Sequence, residues 1–306
     1  MLLYLVPFAA VAIFLVAVVA RLVRIYSLPV HLRWELYPVA HEQNAAYGGS
    51  FFEHVDWWQQ PRAKRHVGEL KVMVPEILFL VGVREHNRPL WARTFPFHFG
   101  LYLSAGLIAL LLLGGVLQAA GVTVAGSAGF PGAAVHWLTV VFAYAGTGLC
   151  LIGALALLLR RLSDPVLRTH SAPADLWNLV AFVATGGLAL LAFLVCDRDL
   201  ALLRGFTQRV VTFRLGGEVP TLLAIAIVAA SAMVAYVPTT HMAHFFTKWF
   251  MYHDVRWNDE VNTVGSKLEK KIQAQLAYKV DWAAPHIQGG GTKTWVDVAT
   301  EEVAKR

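Results

Sequence analysis

Residues 97–120 read FHFGLYLSAGLIALLLLGGVLQAA, an apolar run without a charge and with a histidine at its second position. A helix rises about 1.5 Å per residue, so crossing a hydrocarbon core about 30 Å thick takes roughly 20 apolar residues. The stretch therefore predicts a transmembrane helix. Working outward, four more segments reach that length: 2–20, 134–159, 176–196 and 219–244. Composition agrees. The chain has 306 residues, 57% hydrophobic and 15% charged, against about 25% charged in a soluble globular protein. The sequence predicts an all-α integral membrane protein, a five-transmembrane-helix bundle.

The net charge of +6 is segregated around the spans, which reads as topology and excludes a nucleic-acid footprint. With the N-terminus outside, the inner segments are 21–96, 160–175 and 245–306, and they hold 22 of the 26 Lys and Arg. Only Arg198, Arg204, Arg209 and Arg214 fall outside. The positive-inside rule then places the N-terminus in the periplasm and the tail in the cytoplasm. No basic residue precedes the first apolar run, so it is read as a retained helix rather than a signal peptide. Residues 1–247 form the expected membrane domain, with a cytoplasmic loop over 21–96. Residues 248–306 form a cytoplasmic partner-docking tail.

Within the long loop, GELKVMVPEILFLVGV (68–83) carries Glu69, Lys71, Pro75 and Glu76 and predicts an interfacial or partner-facing helix. LALLRGFTQRVVTF (200–213) predicts a short amphipathic stretch between spans four and five. Asp197 and Asp199, at the end of span four, are expected to be solvated. The tail predicts a short helix followed by an extended arm, with Gly289–Gly291 as a flexible link. Cys150 and Cys196 form no CxxC pair or cluster, so the chain's cysteines hold no iron–sulfur cluster. His31, His41, His54, His66 and His86 match no zinc spacing, and His170, His253 and His286 stand alone in polar segments.

Three histidines remain. Under this topology His98, His241 and His244 fall at the same depth near the inner surface. Ionisable groups at membrane depth are costly and point to function. Two histidines from different helices can hold an iron porphyrin between them. His241 and His244, three apart, share a helix face: one would ligate and the other contact a propionate or partner. The competing reading is interfacial histidines bonded to headgroups or backbone.

FPFHFGLYL (95–103) resembles the second helix of the gamma subunit of respiratory nitrate reductase, a five-helix cytochrome b. TGLCLIGALALLLRRLSDPVLRTHSAPADLWNLV (147–180) is similar to its third helix, basic loop and fourth helix. VPTTHMAHFF (237–246) is similar to the end of its fifth helix. The long loop resembles one branch more closely, through HLRWELYPVAHE (31–42), YGGS (47–50), EHVDWWQQPR (53–62) and GELKVMVPEILFL (68–80). That branch comprises the membrane cytochromes b that partner heterodisulfide-reductase-like iron–sulfur proteins in the Dsr, Tmc and Hme complexes. The tail AAPHIQGGGTKTWVDVATE (283–301) fits it too.

The resemblance implies bis-histidine haem b ligation by His98 and His244, with His241, Arg93, Arg160, Arg161 and Lys248 as propionate candidates. It implies menaquinone or ubiquinone as exchangeable substrate, and a cytoplasmic iron–sulfur partner with CCG-type cysteine motifs. It also implies residence in a bacterial or archaeal cytoplasmic membrane. The chain departs from the nitrate reductase pattern at the outer haem, where Ile108 and Ala226 stand in place of ligands. One haem is therefore expected, with the quinone within its reach and His136 as an interfacial or quinone-contacting residue. The alternatives are a gamma subunit of a molybdenum nitrate reductase and a haem-free membrane anchor.

Overall fold

A computed structural model describes residues 1–27, 55, 59, 66–250, 264–284 and 287–301. In chain order the helices are α1 (Leu2–Ser27), α2 (His66–Phe79), α3 (Val81–His86), α4 (Arg88–Ala119), α5 (Gly132–Ser163), α6 (Pro165–His170) and α7 (Pro173–Cys196). They continue as α8 (Ala201–Val211), α9 (Thr221–Tyr236), α10 (His244–Phe250), α11 (Lys267–Leu276) and α12 (Trp295–Thr300). A two-stranded hairpin, β1 (Ala283–Ala284) and β2 (Ile287–Gln288), precedes α12. Five helical stretches are long and apolar enough to cross a membrane: Leu2–Ser27, Arg88–Ala119, Gly132–Ser163, Pro173–Cys196 and Thr221–Thr239. The protein is an all-α, multi-pass membrane protein.

The helix ends differ from the apolar runs that signal them. α4 begins nine residues before the expected start because Asn87 caps it, its Oδ1 accepting the Leu90 N–H (3.0 Å), with Pro89 in the first turn. At 32 residues, α4 is about 48 Å long, longer than the hydrocarbon core requires. Helix five is shorter than expected. α9 ends at Tyr236, and two 3₁₀ turns follow, Val237–Thr239 and His241–Ala243. Pro238 lacks the N–H that would continue the ladder, and at Thr240 (φ −106, ψ −176) the chain leaves helical backbone. The Thr239 and Thr240 hydroxyls then donate to the Tyr236 and Val237 carbonyls, which the helix no longer uses.

The chain divides into two compact units. The first comprises Met1–Ala17 and Val74–Thr240, and the second Val18–Met73 and His241–Arg306. In the first, α4 packs on α5 and α8, α5 on α7, and α7 on α9. In lipid, apolar surface gains nothing by leaving the solvent, so close backbone packing of small residues must hold the helices together. Glycines supply that approach at the α4–α5 crossing. A Cβ on Gly100 would stand closer than 3.0 Å to the Cys150 backbone, and a Cβ on Gly153 equally close to the Phe97 backbone. Buried apolar clusters close the end nearer α8: Tyr4, Ala192, Phe206, Leu223, Ala226 and Ile227 in one, and Leu107, Leu111, Ala143, Phe193 and Leu200 in the other.

The expected helix over 68–83 forms as α2 and α3, broken at Leu80 (φ 53). The carbonyls freed at the end of α2 find donors on α4. Trp91 Nε1 donates to Phe79 O (2.8 Å) and the Tyr102 hydroxyl to Ile77 O (2.6 Å).

In the second unit, Ser266 caps α11 by accepting the Glu269 N–H (3.0 Å). The stretch expected to be an extended arm folds back on itself. β1 pairs antiparallel with β2, and Val280 N–H donates to Lys293 O (2.8 Å). Gly290 (φ 51) and Gly291 (φ 75) make the turn, donating to Trp282 O and Val280 O. These glycines are therefore a fixed turn rather than a flexible link, since their left-handed backbone returns the chain onto its own carbonyls. Thr294 and Asp297 form a reciprocal cap at the start of α12, and those bonds hold the Asp297 carboxyl below its usual range.

Candidate functional site

His98 lies in the third turn of α4, half-buried. Its Nδ1 donates to the Thr94 carbonyl (2.8 Å), with the Thr94 hydroxyl 3.1 Å from the same nitrogen. A carbonyl can only accept, so Nδ1 carries the proton and Nε2 the lone pair. That is the tautomer in which a histidine ligates iron through Nε2, its other N–H held by a backbone carbonyl. The chain's residues here fit a haem ligand. His86 and His170 make the same 2.8 Å bond to Gly82 O and Val166 O. The bond thus sets the tautomer of helical histidines without by itself marking a ligand.

The neighbourhood of His98 is aromatic. Phe97 presents an edge to His98 (5.3 Å between centroids) and to Phe182 of α7 (5.0 Å). One turn before Phe182, buried Asn178 accepts at Oδ1 from the Tyr236 hydroxyl (2.8 Å). Asn178 Nδ2 has no hydrogen-bond partner among the described residues. Sequence reading passed over this pair, although an amide inside an apolar span is a signal in its own right. On the other side of α4, Trp91, Phe95 and Phe99 stack at four-residue intervals.

His241 and His244 belong to the second unit, whereas His98 belongs to the first. Both are exposed. His241 opens a 3₁₀ turn and His244 is the first residue of α10, so the two do not ride on one continuous fifth helix, as their spacing had suggested. Pro238 is the cause. The His244 Nδ1 donates to the His241 carbonyl (3.3 Å).

Among the cationic candidates, Arg161 is committed. Its Nη1 donates to Ser171 Oγ (2.9 Å) and pairs with Asp175 (3.6 Å), whose carboxylate also accepts the Ala172 N–H at the start of α7. That network fixes the α5–α6–α7 corner. Arg93 donates to the Pro89 carbonyl on its own helix. Arg160 lies in the last turn of α5, half-buried. Lys248 falls on α10, but its side chain lies outside the described residues, as do His31, His41, His54, His253, His286 and the His66 side chain.

One expectation at the opposite end of α4 is corrected. Asp197 is not solvated. It is 3% exposed, and its carboxylate accepts the N–H groups of Leu202 (2.9 Å) and Leu203 (2.8 Å), capping α8. Burial pushes its carboxyl above the usual range, against the pull of those two bonds. Arg204, within the expected amphipathic stretch, is 1% exposed, and burial lowers its pKa against the pull of Asp199 and Asp197. Packing of α8 on α4 buries this face.

Among the described residues, no three His, Cys, Asp or Glu side chains converge as a metal cluster requires. No protein-family model matches this chain, and neither does any curated protein or solved structure.

Proposed function

We propose that this protein is the haem b membrane subunit of a respiratory redox complex, transferring electrons between membrane quinone and a cytoplasmic iron–sulfur partner of the heterodisulfide-reductase type. The observation that carries the reading is the His98 imidazole, set by Thr94 in the Nε2-ligating tautomer within FPFH, together with the PTTHMAH segment that supplies His244. His98 and His244 are the residues that would hold the haem iron, and the haem would supply one-electron exchange.

The chain's own residues do the rest. Thr94 O holds the Nδ1 proton and fixes the ring plane. Phe97 and Phe182 exclude water beside it. Gly153 lets α5 approach close enough to fix the Phe97 backbone. Arg93, Arg160, Lys248 and His241 are the propionate partners, and Arg161 is the least suited because Ser171 and Asp175 already occupy it. Menaquinone or ubiquinone binds within reach of this haem.

Reduced-minus-oxidised spectra of the purified full chain test the reading. Wild type gives a low-spin haem b signal, and His98→Ala and His244→Ala each lose it while circular dichroism stays helical. Unchanged haem content in both variants refutes the assignment. Co-purification identifies the partner: a subunit with CCG-type motifs supports the proposal, and a molybdopterin subunit points to the nitrate reductase alternative.

A further inference from the structure

Gln118 lies twenty residues along α4 from His98, or about 30 Å. Three side chains from three elements lie at that end of the first unit, two of them buried and Gln118 half-buried, each with shielded polar atoms that have no hydrogen-bond partner among the described residues. They are Gln118 Oε1 on α4, His136 Nδ1 on α5, and Arg204 Nε and Nη1 on α8. His136 is 5% exposed and Arg204 1%. The Arg204 side chain lies beside Gly114, one turn before Gln118 on the same face of α4, and Gly114 also faces Val135, the neighbour of His136. Both Arg204 and the exposed Asp199 act electrostatically on the His136 ring.

The polar groups nearby are already committed. Thr139 donates to Val135 O (2.6 Å) and Thr207 to Leu203 O (2.9 Å). Asp197 accepts two N–H groups of α8, and although the carboxylates of Asp197 and Asp199 act on the Arg204 charge, neither hydrogen-bonds its Nε or Nη1. A guanidinium stays charged even when buried, and leaving its donors unmade in a low dielectric costs more than an ordinary hydrogen bond returns. Arg204 requires anionic acceptors, whereas Gln118 Oε1 requires a donor. Water can fill such sites but does not offset the charge. A phosphate-class oxyanion that carries an O–H meets both demands, and arginine is suited to that partner.

We propose that Arg204, His136 and Gln118 form a buried receptor for a phosphate-class oxyanion bearing an O–H donor. The oxyanion comes either from a phospholipid headgroup at the bilayer surface or from free phosphate. The site is separate from the proposed haem ligands and does not depend on them.

Thermal unfolding of the full chain tests this in two arms. One adds inorganic phosphate at constant ionic strength to protein in neutral detergent. The other compares vesicles of phosphatidylcholine with vesicles containing phosphatidylglycerol. Wild type is expected to gain several degrees in Tm in at least one arm. A gain with inorganic phosphate identifies the free anion, and a gain with phosphatidylglycerol alone identifies the headgroup. Arg204→Met loses that gain and, without anion, unfolds at a higher temperature than wild type. His136→Gln, a milder change that keeps the fold readable, binds about 5-fold more weakly, as the loss of one hydrogen bond implies. No gain in either arm, or an equal gain in wild type and Arg204→Met, overturns the proposal.

Discussion

At one end of α4 the His98 Nδ1–H donates to the Thr94 carbonyl, one turn back on the same helix, and the Asn178 side-chain carbonyl accepts from the Tyr236 hydroxyl. About 30 Å along that helix, half-buried Gln118 and buried His136 and Arg204 carry four shielded polar atoms unpartnered among the described residues. The first end holds the Nδ1 proton of its imidazole on its own helix and packs the ring with aromatic side chains, leaving Asn178 Nδ2 unpartnered among the described residues. The second brings a guanidinium, an imidazole and an amide to one end of the unit, with carboxylates acting on the cation but not hydrogen-bonded to its Nε or Nη1. Polar groups in an apolar bundle are retained either because the chain completes their bonds or because something else does. The first end lies nearer the one case and the second nearer the other.

The sharpest way to break the comparison is Gly153→Val. At the His98 end the added side chain meets the Phe97 backbone, so stability should fall by about 3 kcal/mol and haem retention should fall with it. Denaturation in detergent with equal midpoints for wild type and variant would remove the clamp from the account. Arg204→Met sharpens the contrast with the opposite sign. In anion-free detergent it should stabilise by about 2 kcal/mol, as replacing a buried charge by a well-packed apolar side chain does; a loss of stability would mean that Asp197 and Asp199 already satisfy Arg204. Tyr236→Phe strips one bond from the His98 end and should cost about 1 kcal/mol, read from the same unfolding curves.

The smallest effect concerns pH. Burial raises the Asp197 carboxyl in the folded protein, so its contribution is fully present below the unfolded value and is lost as pH rises through the raised folded value. Stability should therefore decline across that window in wild type, and Asp197→Asn should flatten the decline. A slope identical in both would assign the pH dependence elsewhere.

Much of this was legible in residue order. The five spans follow from run length, and the α8 helix from its amphipathic stretch. The early start of α4 was written in Asn87 and Pro89, but hydropathy outweighs capping when a run is read for its apolar length. The break after Tyr236 was likewise written in Pro238, and a search for equal histidine depth reads past it. The histidines proposed as haem ligands came from local motifs, His98 in FPFH and His244 in PTTHMAH. Asn178 was visible as an amide among apolar residues, whereas its partner Tyr236 lies 58 positions away and only packing joins them.

The amino-acid sequence by itself determined that this chain crosses a membrane as helices, because backbone hydrogen bonding in lipid must be completed within each segment and is therefore a local property. Tertiary structure decided which polar side chains are buried and whether they are answered. Arg204 and Asp197 are charged residues that become buried only when α8 folds against α4. The convergence of Gln118, His136 and Arg204 is a non-local fact, set by how three helices pack where no one of them carries the pattern alone.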